Sequence, residues 1–167
     1  MKSKNTGTAF EDAIATQCVL YEKQGIAKIE KTPIPSKFVY FNGTLQLVPI
    51  KKKGEEFANP WLDFAGCRIT PTGDYHIVIE CKDIDDVRLA INNERGGIKK
   101  SEFEAIQKWV AAGSIVLVLW YRQSCHECRI MDGEYIIDSY VAGNKSIRWD
   151  ICNPVKDYDF LKAIGGT

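Results

Sequence analysis

Three charged residues, Asp63, Glu80 and Lys82, lie on two neighbouring segments that have the pattern of β-strands. Glu80 and Lys82 are two positions apart, so the pleat of a strand directs both side chains to one face. Asp63 belongs to the preceding apolar run, and turn-forming residues at 70–74 join the two runs. If the strands pair through that turn, Asp63 lies beside Glu80 with Lys82 nearby.

The chemistry open to such a group is metal-dependent hydrolysis. Two neighbouring carboxylates repel each other and favour a divalent cation between them, and their hard oxygen ligands suit Mg²⁺, which keeps several waters and binds substrate phosphate. Lys82 would stabilise charge on the reacting phosphate or orient the attacking water. The alternative is an exposed hairpin with ordinary charged residues. Both acidic residues follow long apolar side chains, in strands where an unpaired charge is costly, and this favours the site.

The first half of the chain predicts a helix, a strand and a hairpin. The helix covers residues 8–24, with Thr8 as its cap and Glu11 completing a capping box, and a strand follows at 26–31. Asn42-Gly43 lies between two β-prone runs, which is a strong hairpin signal because both residues tolerate positive φ. The hairpin therefore interrupts the chain before the strands that carry the charged group.

The second half predicts a helix over 101–112, with Ser101 as its cap and Glu104 completing a capping box. The continuous apolar run from Ile115 to Tyr121 predicts a strand that is buried on both faces. The remaining predictions are a short helix or ordered loop at 83–93, strands at 135–141 and 147–151, and a terminal helix at 158–164. Together they indicate an α/β fold, one domain over 1–167 with a mixed sheet flanked by helices and a hairpin inserted at about 36–59.

The placement of Asp63 and Glu80-Cys81-Lys82 between two helices resembles the PD-(D/E)xK nucleases. That superfamily has the restriction-endonuclease-like fold, an α-β-β-β-α-β core in which a hairpin or meander carries the acidic residues and the lysine. Within it, the chain is similar to the RecU-type Holliday junction resolvases through Asn5-Thr6-Gly7 and Lys31-Thr32-Pro33-Ile34-Pro35. The inserted hairpin falls where that family has its stalk, which enters the centre of a four-way junction.

The resemblance implies a role for each residue that it covers. Asp63 and Glu80 would be ligands of Mg²⁺, with Mn²⁺ as a substitute, and Lys82 would be the catalytic lysine. Glu11 would be an outer carboxylate beside the attacking water, and Gln107 a supporting polar residue on the second helix. Each of the last two has a local alternative, because Glu11 can complete a capping box and Gln107 can face solvent.

The function that the resemblance implies is a metal-dependent endonuclease of DNA recombination and repair, from a bacterium or a bacteriophage, that cuts four-way junctions symmetrically. Two symmetric cuts require two active sites related by a two-fold axis, which a homodimer provides. One alternative is another PD-(D/E)xK nuclease of restriction or repair type that acts on plain duplex or flaps. A second alternative is a non-catalytic DNA-binding module with the same fold.

Two lysine clusters are candidates for DNA contact, Lys51-Lys52-Lys53 after the hairpin and Lys99-Lys100 before the second helix. Their alternative is a solvated surface. The 22 basic and 22 acidic residues give a formal net charge of zero, so bulk charge lends no support to DNA binding. The apolar runs are too short to span a bilayer and the N-terminus has no apolar signal core, so we expect a cytoplasmic protein without membrane contact.

The motif Cys125-His126-Glu127-Cys128 is open to two interpretations. The favoured one is a pair of reduced thiols in a turn, and the alternative is half of a structural zinc site. A full zinc site needs four ligands, and no second CxxC follows. Because no signal peptide is present, we expect the six cysteines to be mostly reduced core thiols, with Cys67 and Cys81 as small buried hydrophobic residues.

Overall fold

The structure is a computed structural model that describes residues 6–32, 36–49 and 62–165. Predictions that concern Asn5, residues 33–35 and Lys51-Lys52-Lys53 therefore lie outside the described residues.

Four α-helices and eleven strands follow one another in the described part of the chain. They are α1 (Thr6–Lys23), β1 (Ala27–Lys31), β2 (Ser36–Phe41), β3 (Thr44–Pro49), β4 (Phe64–Thr70), β5 (Gly73–Asp83), β6 (Arg88–Asn93), β7 (Ile98–Lys99), α2 (Lys100–Ala111), β8 (Ile115–Arg122), β9 (Glu127–Asp132), α3 (Gly133–Val141), β10 (Ser146–Arg148), β11 (Asn153–Val155) and α4 (Phe160–Ala163). Short 3₁₀ turns follow β10, at Trp149–Ile151, and β11, at Lys156–Tyr158.

The central element is a six-stranded sheet with the order β1-β4-β5-β8-β9-β11. β5 and β8 are parallel, and the other neighbouring pairs are antiparallel. The chain returns from β5 to β8 through β6, β7 and α2, as a parallel pair requires. The mixed α/β class is confirmed. So is the buried strand, because every residue from Val116 to Trp120 in β8 is buried.

Each face of this sheet packs on its own apolar cluster, since successive strand residues point to opposite faces. α1 covers one face, where Phe10, Ile14 and Cys18 pack against Ile77 and Ile79 of β5. α2 and α3 belong to the opposite cluster, which also contains Val78 of β5 and Trp120 of β8. The strand β5, which ends in the charged group, is therefore held between helices on both sides.

β2 and β3 pair antiparallel and form a two-stranded sheet of their own. Asn42 and Gly43 connect them with φ values of 50° and 74°, the left-handed conformation that this short turn requires. The hairpin prediction is confirmed for the described residues 36–49. Near the tip, Tyr40 and Phe41 are 75% and 61% exposed.

Both predicted helix starts are wrong. α1 begins at Thr6, so Glu11 lies in its second turn and is not the capping-box residue of Thr8. α2 begins at Lys100, and the side chain of Glu102 accepts a 2.8 Å hydrogen bond from the backbone N–H of Lys99. Ser101 and Glu104 therefore lie inside the helix. Glu102 is the residue that accepts the hydrogen bond from the backbone N–H of Lys99, the residue that precedes the helix.

Three other predictions fail in the second half of the chain. The segment 83–93 ends in the strand β6, which pairs antiparallel with the distant β10. The segment 135–141 is helical, because Asp132 caps α3 by accepting a 2.7 Å hydrogen bond from the N–H of Glu134. Cys67 is exposed on β4, whereas Cys81 is buried as predicted.

Candidate active site

Asp63 lies one residue before β4, opposite the end of β5. The pairing Thr70↔Gly73 and Phe64↔Ile79 fixes the register, so the next position outward places Asp63 across from Glu80. The Asp63 side chain is half-buried, and its Oδ2 accepts a 2.8 Å hydrogen bond from the backbone N–H of Cys81. One carboxylate oxygen is thereby fixed to the neighbouring strand.

Glu80 and Lys82 form a buried ion pair on the α2 side of the sheet. The Lys82 Nζ lies 2.7 Å from Glu80 Oε1 and 2.6 Å from Glu102 Oε2. The side chains of Lys82 and Glu80 are only 10% and 6% exposed. The same Oε2 of Glu102 accepts from Lys99 N, so the start of α2 is tied to the lysine. Sequence reasoning did not assign a role to Glu102.

The pKa values of this group reflect burial and mutual charge. Burial raises the pKa of Glu80 to about 8, against the opposing effect of Lys82, and the charges of Asp63 and Glu102 add to the increase. Burial also raises the pKa of Asp63, partly offset by the hydrogen bond from Cys81. Burial by itself lowers the pKa of Lys82, but Glu80 and Glu102 outweigh it and the net pKa is raised. Lys82 therefore stays charged, and the cost of burying charge appears in the raised pKa values of Glu80 and Asp63.

Glu11 approaches the same group from α1. Its Oε2 lies 2.6 Å from the Nζ of Lys31, the last residue of β1. The charge of Glu11 contributes to the raised pKa of Asp63, and Asp63 acts in turn on Lys31. The structure therefore brings Glu11, Asp63, Glu80 and Lys82 into one electrostatic group.

Gln107 and the two lysines of the second cluster are exposed on or beside α2. Gln107 lies five residues after Glu102, which is about 140° around a helix with 3.6 residues per turn, so it does not share the face of Glu102. Lys99 and Lys100 lie at the start of α2, next to the residue that holds Lys82. Their contact with DNA phosphate stays a prediction.

The donor set suits a hard divalent cation. Glu11, Asp63, Glu80 and Glu102 supply four carboxylates against the two ammonium groups of Lys31 and Lys82, a formal excess of two negative charges. Asp63 Oδ2 accepts from the Cys81 N–H and Glu80 Oε1 contacts Lys82, and Mg²⁺ commonly takes one or two carboxylates and completes its shell with water. Within residues 6–32, 36–49 and 62–165, no cluster of three or more His, Cys, Asp or Glu side chains is arranged to enclose a metal ion.

The CxxC motif lies in the turn between β8 and β9. Cys125 is exposed in the turn, Cys128 is buried at the start of β9, and both are free thiols. His126 has φ of 55° and its Nδ1 lies 3.3 Å from the hydroxyl of Tyr121. Only Cys125 therefore lies in the turn, whereas the prediction placed both thiols there.

No protein-family model matches the chain, and no curated protein matches it significantly. None of the helices in the described ranges is long and apolar enough to cross a membrane.

Proposed function

We propose that this chain is a metal-dependent, structure-selective DNA endonuclease that cuts four-way junctions as a homodimer. The observation that carries the proposal is the convergence of Asp63, Glu80 and Lys82 on two adjacent antiparallel strands. The elements α1, β1, β4, β5, α2 and β8 support a comparison with the α-β-β-β-α-β core of the PD-(D/E)xK nucleases, if the hairpin β2-β3 is taken as an insertion after β1 and the strands β6 and β7 as an insertion after β5.

Each residue has a role that follows from its surroundings. A divalent cation, when bound, would polarise the scissile phosphate and ease deprotonation of the attacking water. Asp63 and Glu80 would hold that cation, and Cys81 N–H keeps the Asp63 carboxylate oriented toward β5. Lys82 is held by two carboxylates, so its ammonium is already positioned to stabilise charge that develops on the phosphate. Glu11 would accept a hydrogen bond from the water.

The hairpin supports the choice of a branched substrate. Its tip exposes aromatic side chains that have no core to fill, and such rings stack on unpaired bases. Lys51-Lys52-Lys53 follow it in the sequence, and phosphates of four arms converge at the centre of a junction. A cationic hairpin therefore gains more there than on one duplex.

A second candidate is a non-catalytic DNA-binding module with the same fold. The observation that favours it is that Lys82 already satisfies Glu80 and Glu102 without a metal. Such a closed network could serve only to hold α2 against β5. The two candidates differ in whether Mg²⁺ changes the DNA.

The test is a cleavage assay on labelled four-way junction, linear duplex and flap, each with Mg²⁺ and with EDTA. The proposal predicts Mg²⁺-dependent, paired symmetric cuts in the junction and little cutting of the duplex. Equal cutting of all three would indicate a general nuclease, and binding without cutting under any divalent cation would indicate the module. No binding and no cutting would refute both.

A variant with Lys51, Lys52 and Lys53 replaced by Ala tests the hairpin. It should bind the junction more weakly with a flatter salt dependence, while a matched variant with the exposed Lys145, Lys156 and Lys162 replaced by Ala should not. Equal loss on duplex and junction would argue against a junction-specific hairpin.

A further inference from the structure

A cavity of about 220 Å³ lies on the α1 side of the sheet, at the end where β5 and β8 finish. Three aromatic residues, Phe10, Tyr121 and Tyr158, line it. The rings of Phe10 and Tyr121 are stacked, with centroids 5.2 Å apart and planes 20° apart, and the Tyr158 ring is tilted against both at 6.2 and 6.4 Å. Tyr121 and Tyr158 are only partly buried, so flat aromatic surface remains open to a ligand.

The backbone adopts an unfavourable conformation at and beside the rim of this cavity. Tyr158 and the preceding Asp157 have φ values of 59° and 52°, and His126 on the opposite rim has 55°. A bulky residue such as tyrosine rarely adopts positive φ, and such conformations are concentrated at functional sites. Two of the five non-glycine residues with positive φ in the described chain line this one cavity.

The polar groups on the rim match the edge of a planar ring. The Gln123 amide donates to Asp83 at 3.2 Å, which leaves its carbonyl oxygen as an acceptor. His126 uses Nδ1 toward the Tyr121 hydroxyl at 3.3 Å, so its second ring nitrogen can donate or accept. Amide, carboxylate and imidazole groups are those that pair with base edges, and the aromatic wall offers a stacking surface for any base.

The described lining of the cavity carries no positive charge, and the cavity faces away from Lys82. None of the described residues that line it is Lys or Arg, so it offers no cation to the phosphate of a free nucleotide. The nearest ammonium in the sequence is Lys82, directly before Asp83, and Glu11 directly follows Phe10 on α1. Successive strand residues alternate between faces, so the cavity lies on the α1 side of the sheet while Lys82 points to the α2 side.

We infer that this cavity is a subsite for one unpaired nucleobase of the DNA, from a nucleotide other than the one whose phosphate is held at Asp63, Glu80 and Lys82. This inference rests on the proposed nuclease function and adds to it a contact with a base outside the duplex. A base in the cavity stacks on Tyr121 and Tyr158 and presents its edge to Gln123 and His126. It would fix the position of the scissile phosphate relative to the branch point.

The test compares junctions that carry one unpaired nucleotide with the same junctions in which that nucleotide is abasic. The abasic position is moved through the nucleotides that flank the branch point, and dissociation constants are measured in EDTA so that no cutting occurs. Stacking of one base changes affinity by roughly five- to hundredfold, so at one position the wild type should prefer the intact base by that factor. Tyr158→Leu keeps apolar bulk but removes the flat ring, and should abolish the preference, whereas Tyr158→Phe should retain it.

Tyr75→Ala is the matched control, because Tyr75 is an exposed aromatic residue at the opposite end of β5. It should leave the preference unchanged. If Tyr158→Leu does not fold, as judged by circular dichroism, Gln123→Ala on the exposed rim replaces it and should reduce the preference.

The outcomes separate the two proposals. Equal affinity for intact and abasic junctions at every position, with junction cutting intact, would overturn the base subsite alone. Absence of any DNA binding would overturn both. A third outcome is that the wild type binds free deoxynucleoside monophosphate, that Tyr158→Leu abolishes this binding, and that the wild type shows no preference for the intact base on DNA. The cavity would then bind a free nucleotide and not a base of the DNA.

Discussion

Two lysine–glutamate pairs of nearly equal length lie on either side of Asp63, in different environments. The Lys82–Glu80 pair measures 2.7 Å with side chains 10% and 6% exposed, and the Lys31–Glu11 pair measures 2.6 Å with side chains 53% and 26% exposed. Exposed pairs contribute little because water and salt screen them. Breaking a buried pair leaves a charge without compensation and costs much more. Burial, and not distance, separates the two pairs.

The two ion pairs would also have different roles in the proposed reaction. The buried pair keeps an ammonium in a fixed place beside Asp63, where water cannot weaken its field. The exposed pair leaves Glu11 able to change partners, as an outer carboxylate beside a reacting water would have to do.

Loss of Lys82 should have the largest effect. Lys82→Ala should lower turnover more than about a hundredfold, since a positioned charge on the transition state typically contributes that much. It should also lower the free energy of unfolding by about 3 kcal/mol where Glu80 is ionised, and less at pH 6 than at pH 8, because below its pKa of about 8 Glu80 already holds a proton and is not left as an unpaired charge. Single-turnover cleavage and urea unfolding provide the two measurements.

Lys82→Arg is the control for charge alone. A planar guanidinium does not replace a compact ammonium between two carboxylates, so activity should stay low. Full activity in this variant would show that a positive charge at position 82 is sufficient and that the compact ammonium is not required.

The second prediction concerns pH. The pKa of Glu80 is raised to about 8 from an ordinary value of 4.5, so between these values the folded protein holds a proton that the unfolded chain has released. The free energy of unfolding should therefore fall as the pH rises from about 5 to about 8 and level off above. The raised pKa of Lys82 keeps its ammonium charged throughout this range.

Urea unfolding at several pH values without divalent cations measures this slope. Glu80→Gln should flatten it, and Mg²⁺ should reduce it in the wild type by favouring the ionised carboxylate. If the free energy of unfolding of the wild type does not change with pH over this range, the pKa of Glu80 is not raised by burial.

Glu102 should have an intermediate effect. Glu102→Ala removes one partner of Lys82 and the acceptor for Lys99 N–H. It should cost about 1–2 kcal/mol of stability, as loss of a helix cap does, and lower turnover about tenfold, as loss of a supporting residue around a metal site does. Glu104→Ala, an exposed substitution on the same helix, should change neither. If the two variants behave alike, Glu102 has no part in holding Lys82.

The exposed pair should have the smallest effect on stability. Lys31→Ala and Glu11→Gln should each change the free energy of unfolding by less than about 1 kcal/mol. Glu11→Gln should nevertheless lower turnover at least tenfold if the carboxylate accepts a proton from the water, whereas Lys31→Ala should not. A loss of stability in Lys31→Ala equal to that in Lys82→Ala would remove the distinction between the pairs.

The meeting of Asp63 and Glu80 could be predicted because it depends on local information. Thr70 and Gly73 pair across a two-residue turn, so Asp63, seven residues before the pair, faces Glu80, seven residues after it. Glu102 could not be predicted in the same way. The sequence offers Ser101 as a good cap and Glu104 in the matching position, whereas the structure uses Lys99, a poor cap by composition.

Non-local contacts explain the other failures. The run 135–141 is rich in aromatic and β-branched residues, which favour strands, yet it is helical and packs closely on β8. A Cβ on Gly133 would lie 2.7 Å from that of Val116. Asp132 is a favoured helix-capping residue, so its position could have predicted the start of α3. β6 pairs Leu89 with Ile147, 58 residues later, and no local pattern indicates such a pairing.

Whether Asp63 holds a catalytic cation is tested by comparing junction cleavage and junction binding in Asp63→Asn with those of the wild type, in the same Mg²⁺ concentration. Asparagine can keep the hydrogen bond from Cys81 N–H but removes the charge that would hold the cation. Asp63→Asn should lose cleavage of the junction. Its binding to the junction should stay equal or become slightly tighter, since one charge that repels phosphate is gone. Cutting at nearly the wild-type rate would show that Asp63, Glu80 and Lys82 are not the active site.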